Sequence, residues 1–210
     1  MKALSNRLKA VADMVRQESV IADIGTDHGY IPVYLYKAGI IKGAVAADIN
    51  DGPLNSCREL VEQQGLSGVI SIRLSDGLSN LKPCEYDTII IAGMGGELIA
   101  DILSKDTSIK DKHIILNPMT HPEIARRFLY DNGFEIDRDI IVPDGRHHYS
   151  VFDAHYTGKK INRSDKDYFL GNIKDFSDKE YFSHLLNYLK NKSKSGEDFT
   201  EIINEIEAVL

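Results

Sequence analysis

Short apolar runs alternate with amphipathic segments along the first two thirds of the chain. Five runs are rich in β-branched residues and bounded by glycine or polar residues, which is typical of buried strands in a parallel sheet. Between them, apolar residues recur at intervals of three and four, which indicates helices. The predicted strands cover residues 20–24, 43–48, 70–74, 86–92 and 113–116, and the predicted helices cover residues 4–15, 31–38, 53–64, 97–103 and 122–131. This alternation predicts an α/β fold with a doubly wound, mostly parallel sheet.

The pattern changes in the last third of the chain. Residues 134–142 and 148–156 are both β-rich and are joined by Pro143-Asp144-Gly145, which predicts a C-terminal antiparallel hairpin. Beyond residue 158, apolar residues recur at helical spacing, which predicts a small all-helical, coiled-coil-like domain of two or three helices with a turn at 193–196. The apolar positions are Phe169, Ile173, Phe176, Tyr181, Leu185, Leu186, Leu189, Ile202, Ile206 and Val209. We therefore expect two domains, residues 1–158 and residues 159–210.

Composition narrows the class of protein. The chain has 210 residues, a net charge of -7, 42% hydrophobic residues and 27% charged residues, all of which are usual for globular proteins. Its longest apolar run is far shorter than the roughly 20 residues of a membrane-spanning helix, and the N-terminus has no signal-peptide core. The two cysteines, Cys57 and Cys84, are too few for a disulfide framework or a cysteine zinc cage. We expect a soluble, cytoplasmic protein.

Positive charge is concentrated in one stretch. Residues 159–194 hold nine Lys and Arg against five Asp and Glu, whereas residues 195–210 hold five acidic residues and no basic residue. A basic stretch on an acidic protein can bind the phosphates of a nucleic acid. A solvated helix face gives the same pattern and is the more frequent case.

The segment around the end of the first predicted strand carries the strongest chemical signal, Asp23-Ile24-Gly25-Thr26-Asp27-His28-Gly29-Tyr30. Its glycines allow a tight turn and the close approach of a ligand. A dinucleotide-binding loop holds a pyrophosphate, which the carboxylates of Asp23 and Asp27 would repel. The loop suits a ligand with an ammonium or sulfonium charge, and a tight turn held by Asx hydrogen bonds is the alternative.

Further polar groups follow the next strands, at the edge where open α/β sheets bind ligands. Asp48 ends the second strand, where an acid can accept the ribose hydroxyls of an adenosine group or cap the next helix. Asp76-Gly77 follows the third strand and can either reach an adenine amine or form a simple turn. After the fourth and fifth strands come Ala92-Gly93-Met94-Gly95-Gly96 and Asn117-Pro118-Met119. The Asn-Pro pair can offer an amide oxygen and a rigid carbonyl to a planar base, or it can begin a helix.

The remaining chemistry-bearing residues exclude several classes of protein. None of the seven histidines has metal-ligand spacing, so we expect no metal. The chain has no Gly-x-Ser-x-Gly elbow and no phosphate-binding Gly-Lys-Ser/Thr loop, which argues against hydrolases and P-loop NTPases. We expect His147-His148 to be surface residues, Cys57 to be packed inside and Cys84 to lie in a loop.

These motifs together resemble those of class I S-adenosylmethionine-dependent methyltransferases, with a Rossmann-like sheet. In particular, the Leu4-Ser5-x-Arg7-Leu8 opening, the loop from Asp23 to Tyr30, Gly93-Met94-Gly95-Gly96 and Asn117-Pro118-Met119 are similar to the bacterial tRNA (adenine-22, N1)-methyltransferase family, TrmK. The resemblance covers essentially the whole chain, including the helical C-terminal domain. The first loop and the Gly-Met-Gly-Gly run are its specific parts.

The resemblance implies transfer of a methyl group from S-adenosylmethionine to N1 of adenine 22, in the D-arm region of tRNA. From the residues themselves we expect neither a membrane partner nor a metal, and we expect a monomer or weak dimer. The expected cofactor residues are Asp23, Gly25, Thr26, Gly29, Asp48, Ile49, Asp76, Gly77, Ala92 and Gly93. The expected residues around the target base are Asp27, His28, Tyr30, Met94, Asn117 and Pro118. The expected tRNA contacts are Arg7, Lys159, Lys160, Arg163, Lys166, Lys174, Lys190, Lys192 and Lys194.

Three other functions share part of this pattern. A small-molecule methyltransferase would use the same cofactor site but needs an enclosing lid, which a basic helical appendage fits poorly. A catalytically idle tRNA-binding module would keep the fold, but the intact acids Asp23, Asp48 and Asp76 count against it. A nicotinamide dehydrogenase is disfavoured by the carboxylates in the first loop.

Overall fold

A computed structural model of the chain describes residues 3–160 and 163–210. Within them, seven strands form one sheet: β1 (Ser19–Ile24), β2 (Ile41–Asp48), β3 (Ile70–Leu74), β4 (Thr88–Ala92), β5 (His113–Asn117), β6 (Phe134–Asp144) and β7 (His147–Tyr156). Their spatial order is β3-β2-β1-β4-β5-β7-β6. Strands β1 to β5 are parallel, and β7 is antiparallel to both β5 and β6. The predicted strands and the predicted fold class are confirmed, with small shifts at the boundaries.

Helices cover both faces of the sheet. The helices of the first 158 residues are α1 (Asn6–Asp13), α2 (Tyr30–Lys37), α3 (Asp51–Gln63), α4 (Gly96–Ser104) and α5 (Pro122–Asp131). Because side chains alternate across a strand, Ile89 and Ile91 of β4 pack in the cluster that contains α4 and α5, whereas Ile90 packs in the cluster that contains α1, α2 and α3. Both faces of the central strands are therefore buried, which explains their unbroken apolar runs.

The order of the strands fixes where a ligand can bind. Strand β1 lies between β2 and β4, so successive crossovers leave the centre of the sheet in opposite directions. This reversal opens a crevice at the carboxyl ends of β1 and β4. The first loop, which follows β1, and the glycine run, which follows β4, both lie at this crevice.

The predicted hairpin is confirmed, and its second strand lies inside the sheet. Strand β7 pairs with β5 on one side and with β6 on the other, so β6 forms the edge. The turn of the hairpin contacts the start of α1, where the Asn6 side chain donates a hydrogen bond to the Pro143 carbonyl at 3.0 Å. The hairpin therefore connects the edge of the sheet to the N-terminal helix.

Within residues 163–210, three helices pack around an apolar cluster of their own: α6 (Asp165–Leu170), α7 (Lys179–Ser193) and α8 (Thr200–Val209). The ammonium of Lys179, at the start of α7, bonds the carbonyl of Val209, at the end of α8, so the two helices are antiparallel. The turn predicted at 193–196 is confirmed. The helical pattern predicted at Ile173 and Phe176 is wrong, because α6 ends at Leu170 and both side chains reach the apolar cluster from non-helical chain.

A buried ion pair joins the sheet to these helices. The guanidinium of Arg126, on α5, is fully buried and bonds both carboxylate oxygens of Asp139, on β6, at 2.8 and 3.0 Å. It also donates to the main-chain carbonyls of Tyr168 and Phe169 in α6. Burial alone would lower the pKa of Arg126, but the Asp139 carboxylate raises it above its ordinary value. The C-terminal helices are thus anchored to the sheet through a charge that stays fixed at all ordinary pH values.

Candidate active site

The loop after β1 is held in a tight turn by the neighbouring strand. The main-chain amides of Gly25 and Thr26 both donate to the carbonyl of Ala47, on β2, at 2.8 and 2.9 Å. Gly25 has a φ of +75°, and a Cβ at this position would lie 2.2 Å from the Met94 side chain. The positive φ favours glycine at this position, and the end of the flexible Met94 side chain packs against it. This contact also brings the loops after β1 and β4 together.

A cavity of about 420 Å³ lies between this loop and the start of α1. The residues that line it include Leu4, Ser5, Arg7, Leu8, Asp23, Gly25, Thr26, Asp27, Tyr30 and Ala92. Three of the expected cofactor residues of the first loop, Asp23, Gly25 and Thr26, thus meet two of the expected base-binding residues, Asp27 and Tyr30, at one cavity. Three carboxylates, those of Asp23, Asp27 and Asp48, lie in or near the same edge of the sheet.

Asp23 is a buried acid at the tip of β1. Burial raises the pKa of its carboxyl from 3.8 to about 6, the Thr26 hydroxyl opposes this shift, and repulsion from Asp48 adds to it. A buried carboxylate without a cationic partner is costly, and a cationic ligand in the cavity would remove that cost. The site is therefore electrostatically suited to a positively charged ligand.

Asp27, His28 and Tyr30 form a polar and aromatic group beside the cavity, in which Asp27 is exposed and the two rings are half-buried. The His28 Nε2 lies 3.2 Å from the Asp27 carboxylate, which is 78% exposed. The rings of His28 and Tyr30 are 5.3 Å apart and tilted by 30°. His28 has a φ of +65°, a strained conformation for a residue with a side chain, and such strain concentrates at functional sites. The group presents a carboxylate and two aromatic faces to whatever enters.

The acids after β2 and β3 lie further along the same edge. One oxygen of Asp48 accepts the main-chain amide of Asn50 at 2.7 Å. Beside it, Ile49 is 60% exposed and offers apolar surface. Asp76 is exposed and borders a second cavity of about 250 Å³. Gly77 has a φ of +55°, and a Cβ there would lie 2.8 Å from Ile102, so this glycine is needed for packing.

The loops after β4 and β5 are bonded to each other. The amide of Gly93 donates to the Asn117 carbonyl at 3.1 Å, and the amide of Met119 donates to the Met94 carbonyl at 2.8 Å. At Gly96 a Cβ would lie 2.0 Å from the carbonyl oxygen of His121. The rim that carries Met94, Asn117 and Pro118 is therefore one rigid unit.

Asn117 lies deeper than a direct contact with a base requires. Its side chain is fully buried, its Oδ1 accepts from Arg7 at 3.0 Å and its Nδ2 donates to the Ser150 carbonyl at 3.1 Å. Pro118 is also buried. Arg7, which was expected to contact tRNA, lines the cavity, and Asn117 lies behind it.

Of the eight cations in residues 159–210 that were expected to bind tRNA, four have acidic partners. Arg163 is partly buried against Glu135, with the two side chains 3.0 Å apart. Three lysines pair with acids of the same C-terminal stretch: Lys166 with Glu205, Lys190 with Glu207, and Lys192 with Glu197. Lys159, Lys160, Lys174 and Lys194 are exposed. The acidic C-terminal stretch thus offsets much of the basic stretch that precedes it.

His148 differs from expectation. Its ring is 15% exposed and lies between Asp178 and Glu180, at 2.6 and 3.2 Å, so it links the hairpin to the start of α7. His147 is exposed, as expected. Cys57 is buried, as expected. Cys84 is exposed, but it lies in a short 3-10 helix, Pro83–Glu85, and not in a loop.

Comparison with known proteins decides the family. A family model described as a methyltransferase domain matches residues 4–152. The tRNA (adenine(22)-N(1))-methyltransferase of Bacillus subtilis is 40% identical to the chain, over 76% of this chain and 71% of that protein. The chain belongs to this methyltransferase family. The resemblance read from the first loop and the rim is therefore confirmed.

The structural similarity to solved proteins covers almost the whole chain. Two crystal structures of Streptococcus pneumoniae Sp1610 match 99% of this chain at 29% identity. The first has a TM-score of 0.87 and is covered over 100% of its length, and the second has a TM-score of 0.79 and is covered over 96%. The second of them is a complex with S-adenosyl-L-methionine. M. capricolum TrmK in complex with S-adenosyl-homocysteine matches with a TM-score of 0.79 at 27% identity, over 99% of this chain and 94% of that one.

Among residues 3–160 and 163–210, no helix is long and apolar enough to cross a membrane. In the same described part of the chain, no three His, Cys, Asp or Glu side chains are grouped so that they could hold a metal ion.

The sequence analysis missed two features, one at the site and one at the junction between the sheet and the C-terminal helices. Tyr149, on β7, lies beneath the guanidinium of Arg7, with 5.8 Å from the guanidinium carbon to the ring centre. Nothing in the local sequence indicates this contact, because the residues are far apart along the chain. The burial of Arg126 could have been found, since it lies four residues before the buried Tyr130 on the same helix face.

Proposed function

We propose that this protein transfers a methyl group from S-adenosylmethionine to N1 of adenine 22 in tRNA. The observation that carries the proposal is the 40% identity to the Bacillus subtilis enzyme of that activity over 76% of this chain. The site supports it, because Asp23, Asp27, Tyr30 and Asp48 are intact and converge on the crevice at the carboxyl edge of the sheet.

The side chains at this edge fit S-adenosylmethionine. Its sulfonium and ammonium groups are cations, which the carboxylates of Asp23 and Asp27 attract. Asp48 has a carboxylate oxygen available for the ribose hydroxyls, and Ile49 offers an apolar surface to the purine. When bound, the cofactor supplies an electrophilic methyl group.

The protein's own part in the reaction is to position and stabilise. N1 of adenine has an in-plane lone pair, so no base is needed to create the nucleophile. The adenine gains the methyl group and its positive charge, and the Asp27 carboxylate at the cavity mouth stabilises that charge. Holding both reactants in a near-attack geometry can supply about 7–11 kcal/mol.

The target base must first leave its place in the tRNA. Exposing a base from a folded nucleic acid costs a few kcal/mol. The rings of Tyr30 and His28, at the mouth of the cavity, provide aromatic faces that offset part of this cost by stacking.

Site-specific mapping tests the proposed reaction. Purified protein, S-adenosylmethionine and an unmodified tRNA transcript should yield 1-methyladenine at nucleotide 22, detected as a reverse-transcription stop and by mass spectrometry of digested RNA. A matched transcript with guanine at position 22 should stay unmodified. Methylation of the control transcript at the same rate, or no methylation of either RNA by protein that binds the cofactor, would overturn the proposal.

We further propose that the chain divides into two domains after residue 158. In this proposal the helical domain, residues 159–210, holds the body of the tRNA. Exposed lysines at Lys159, Lys160 and Lys174 support this, and the surface ion pairs of the other lysines are weak enough for phosphates to replace. Changing these three lysines to glutamate should weaken tRNA binding and lower its salt slope by about 2 to 3. An unchanged slope, with cofactor affinity intact, would contradict the assignment.

The setting of the reaction follows from its substrate. A tRNA substrate places the protein in the cytoplasm. Its expected state of monomer or weak dimer stays a prediction, which the sedimentation velocity of the purified protein at several concentrations would check.

A further inference from the structure

Among the described residues that line the cavity, Arg7 carries a positive charge, and the others are acidic, apolar or neutral. Arg7, in the first turn of α1, reaches the cavity with a side chain that is 23% exposed. Its Nη1 donates to the Oδ1 of Asn117 at 3.0 Å, and its Nε lies 3.5 Å from the Asp144 carboxylate. Its guanidinium carbon lies 5.8 Å from the centre of the Tyr149 ring. Three separate parts of the chain therefore fix this one group.

The amide of Asn117 serves as an anchor in this arrangement. Both of its polar atoms are engaged, one by Arg7 and the other by the Ser150 carbonyl, and the side chain has no exposed surface. Because the Ser150 carbonyl can only accept, it forces the amide nitrogen toward β7 and the amide oxygen toward Arg7. Asn117 is thus oriented to hold the guanidinium.

Asp144 makes a second anchor. One of its oxygens accepts the main-chain amide of Asn6 at 3.3 Å, while the other faces Arg7. Ser5, the residue that precedes α1, makes no capping hydrogen bond with its side chain. Asp144 therefore serves as the cap of α1 from the hairpin turn, and it aligns the helix and the guanidinium together.

The anchored guanidinium keeps donors for a ligand. Arginine carries five N–H groups in a planar fork, and within the described residues Arg7 uses one for Asn117 and directs one toward Asp144. The remaining donors suit a planar or tetrahedral oxyanion. The cavity already offers the carboxylates of Asp23 and Asp27 to cations, so Arg7 supplies the opposite charge.

We propose that Arg7 is the oxyanion-binding residue of the cavity, with Asn117 and Asp144 as the positioning residues that hold it. This inference rests on the proposed function, which brings two oxyanions to the cavity. One is the carboxylate of the cofactor's amino-acid end, and the other is the phosphate of the target nucleotide. Both would pair with the same fork of N–H donors.

Two binding measurements identify the oxyanion. The dissociation constant of S-adenosylmethionine is measured by calorimetry, and that of tRNA by filter binding at several salt concentrations. Arg7→Ala should raise the first about 10- to 100-fold if the carboxylate is bound. If the phosphate is bound, it should instead weaken tRNA binding and lower the salt slope by about one. Arg7→Lys should not restore the affinity, because an ammonium lacks the fork.

The control is Arg16→Ala, which removes the same charge from an exposed arginine at the opposite end of the sheet, beside Ser19 at the start of β1. It should change neither constant. If folded Arg7→Ala protein matches Arg16→Ala in both measurements, Arg7 binds no oxyanion and the proposal is overturned.

A double-mutant cycle tests the positioning role. Asp144→Asn keeps an acceptor for the Asn6 amide but removes the charge that faces Arg7. It should raise the same dissociation constant as Arg7→Ala in the natural background and have no effect in the Arg7→Ala background. Additive effects would overturn the positioning role. Since no turnover is measured, a protein that passes these tests but fails to methylate nucleotide 22 would contradict the proposed function alone.

Discussion

The carboxylate of Asp48 is held at the end of β2 with one oxygen on the Asn50 amide. If the other oxygen binds the ribose hydroxyls, Asp48→Ala should weaken S-adenosylmethionine binding by about 1.5–3 kcal/mol, the range for hydrogen bonds to charged groups. The fold should be kept, because this side chain packs little apolar surface. Calorimetric titration and circular dichroism measure both effects. Unchanged affinity in a folded variant would remove Asp48 from the cofactor site.

The buried carboxyl of Asp23 should lower the stability of the fold when it is ionised, and the same charge should strengthen cofactor binding. Burial raises its pKa to about 6 in the folded protein, against 3.8 in the unfolded chain. Ionising it therefore costs nothing below about pH 4 and about 3 kcal/mol of folding free energy once the pH exceeds about 6. Asp23→Asn should raise the free energy of unfolding at about pH 8 but not at about pH 4, and it should weaken cofactor binding at the higher pH.

Urea unfolding at the two pH values, together with calorimetry at the higher one, measures these changes in Asp23→Asn. A variant that is no more stable at about pH 8 would contradict the account of a buried charge. A variant that binds the cofactor as well as the natural protein would show that Asp23 does not attract the ligand's cation.

At the scale of elements, the rim depends on the contact between α4 and the loop before α5. A Cβ at Gly96 would lie 2.0 Å from the His121 carbonyl oxygen, which belongs to backbone and cannot rotate away. Gly96→Ala should therefore lower the free energy of unfolding by about 1–3 kcal/mol and reduce methyl transfer by moving the rim. Thermal unfolding and an initial-rate assay would measure both.

A helical glycine in open space provides the matched control for that substitution. A Cβ at Gly52, in α3, would meet nothing within 4 Å. Gly52→Ala should raise the free energy of unfolding by about 0.4–1 kcal/mol, because alanine restricts the unfolded chain. Equal effects of the two substitutions would show that the close approach at Gly96 has no energetic importance.

At the scale of the whole molecule, the buried charge of Arg126 holds the C-terminal helices on the sheet. Arg126→Ala leaves Asp139 buried without a partner, which should cost about 3–5 kcal/mol of stability. Arg127→Ala removes the adjacent arginine, whose pair with Asp165 is exposed, and should cost less than about 1 kcal/mol. Denaturant unfolding of both variants measures the difference. Similar small losses would show that the junction does not depend on this ion pair.

The strands, the helices and the edge of the sheet that carries the site could be predicted from local patterns alone. Strand positions follow from local patterns, since Ile89, Ile90 and Ile91 can be buried on both faces only in the middle of a sheet. The carboxyl ends of parallel strands meet at one edge, so Asp23 and Asp48 could be placed together from their positions after β-rich runs. The proposed methyl transfer could also be predicted from the first loop, because its carboxylates and glycines are contiguous in the chain and resemble those of the family.

Which charged side chains line the cavity and which are already paired could not be predicted without the packing of the elements. Lys166, Lys190 and Lys192 form a basic stretch in the sequence, but folding brings acids from the C-terminal end of the chain against them. Arg7 and Asn117 are 110 positions apart, and only the packing of α1 against the sheet and the hairpin places one on the other. Local patterns report the burial of an element's face, whereas pairing between distant side chains depends on how elements pack, which no local pattern records.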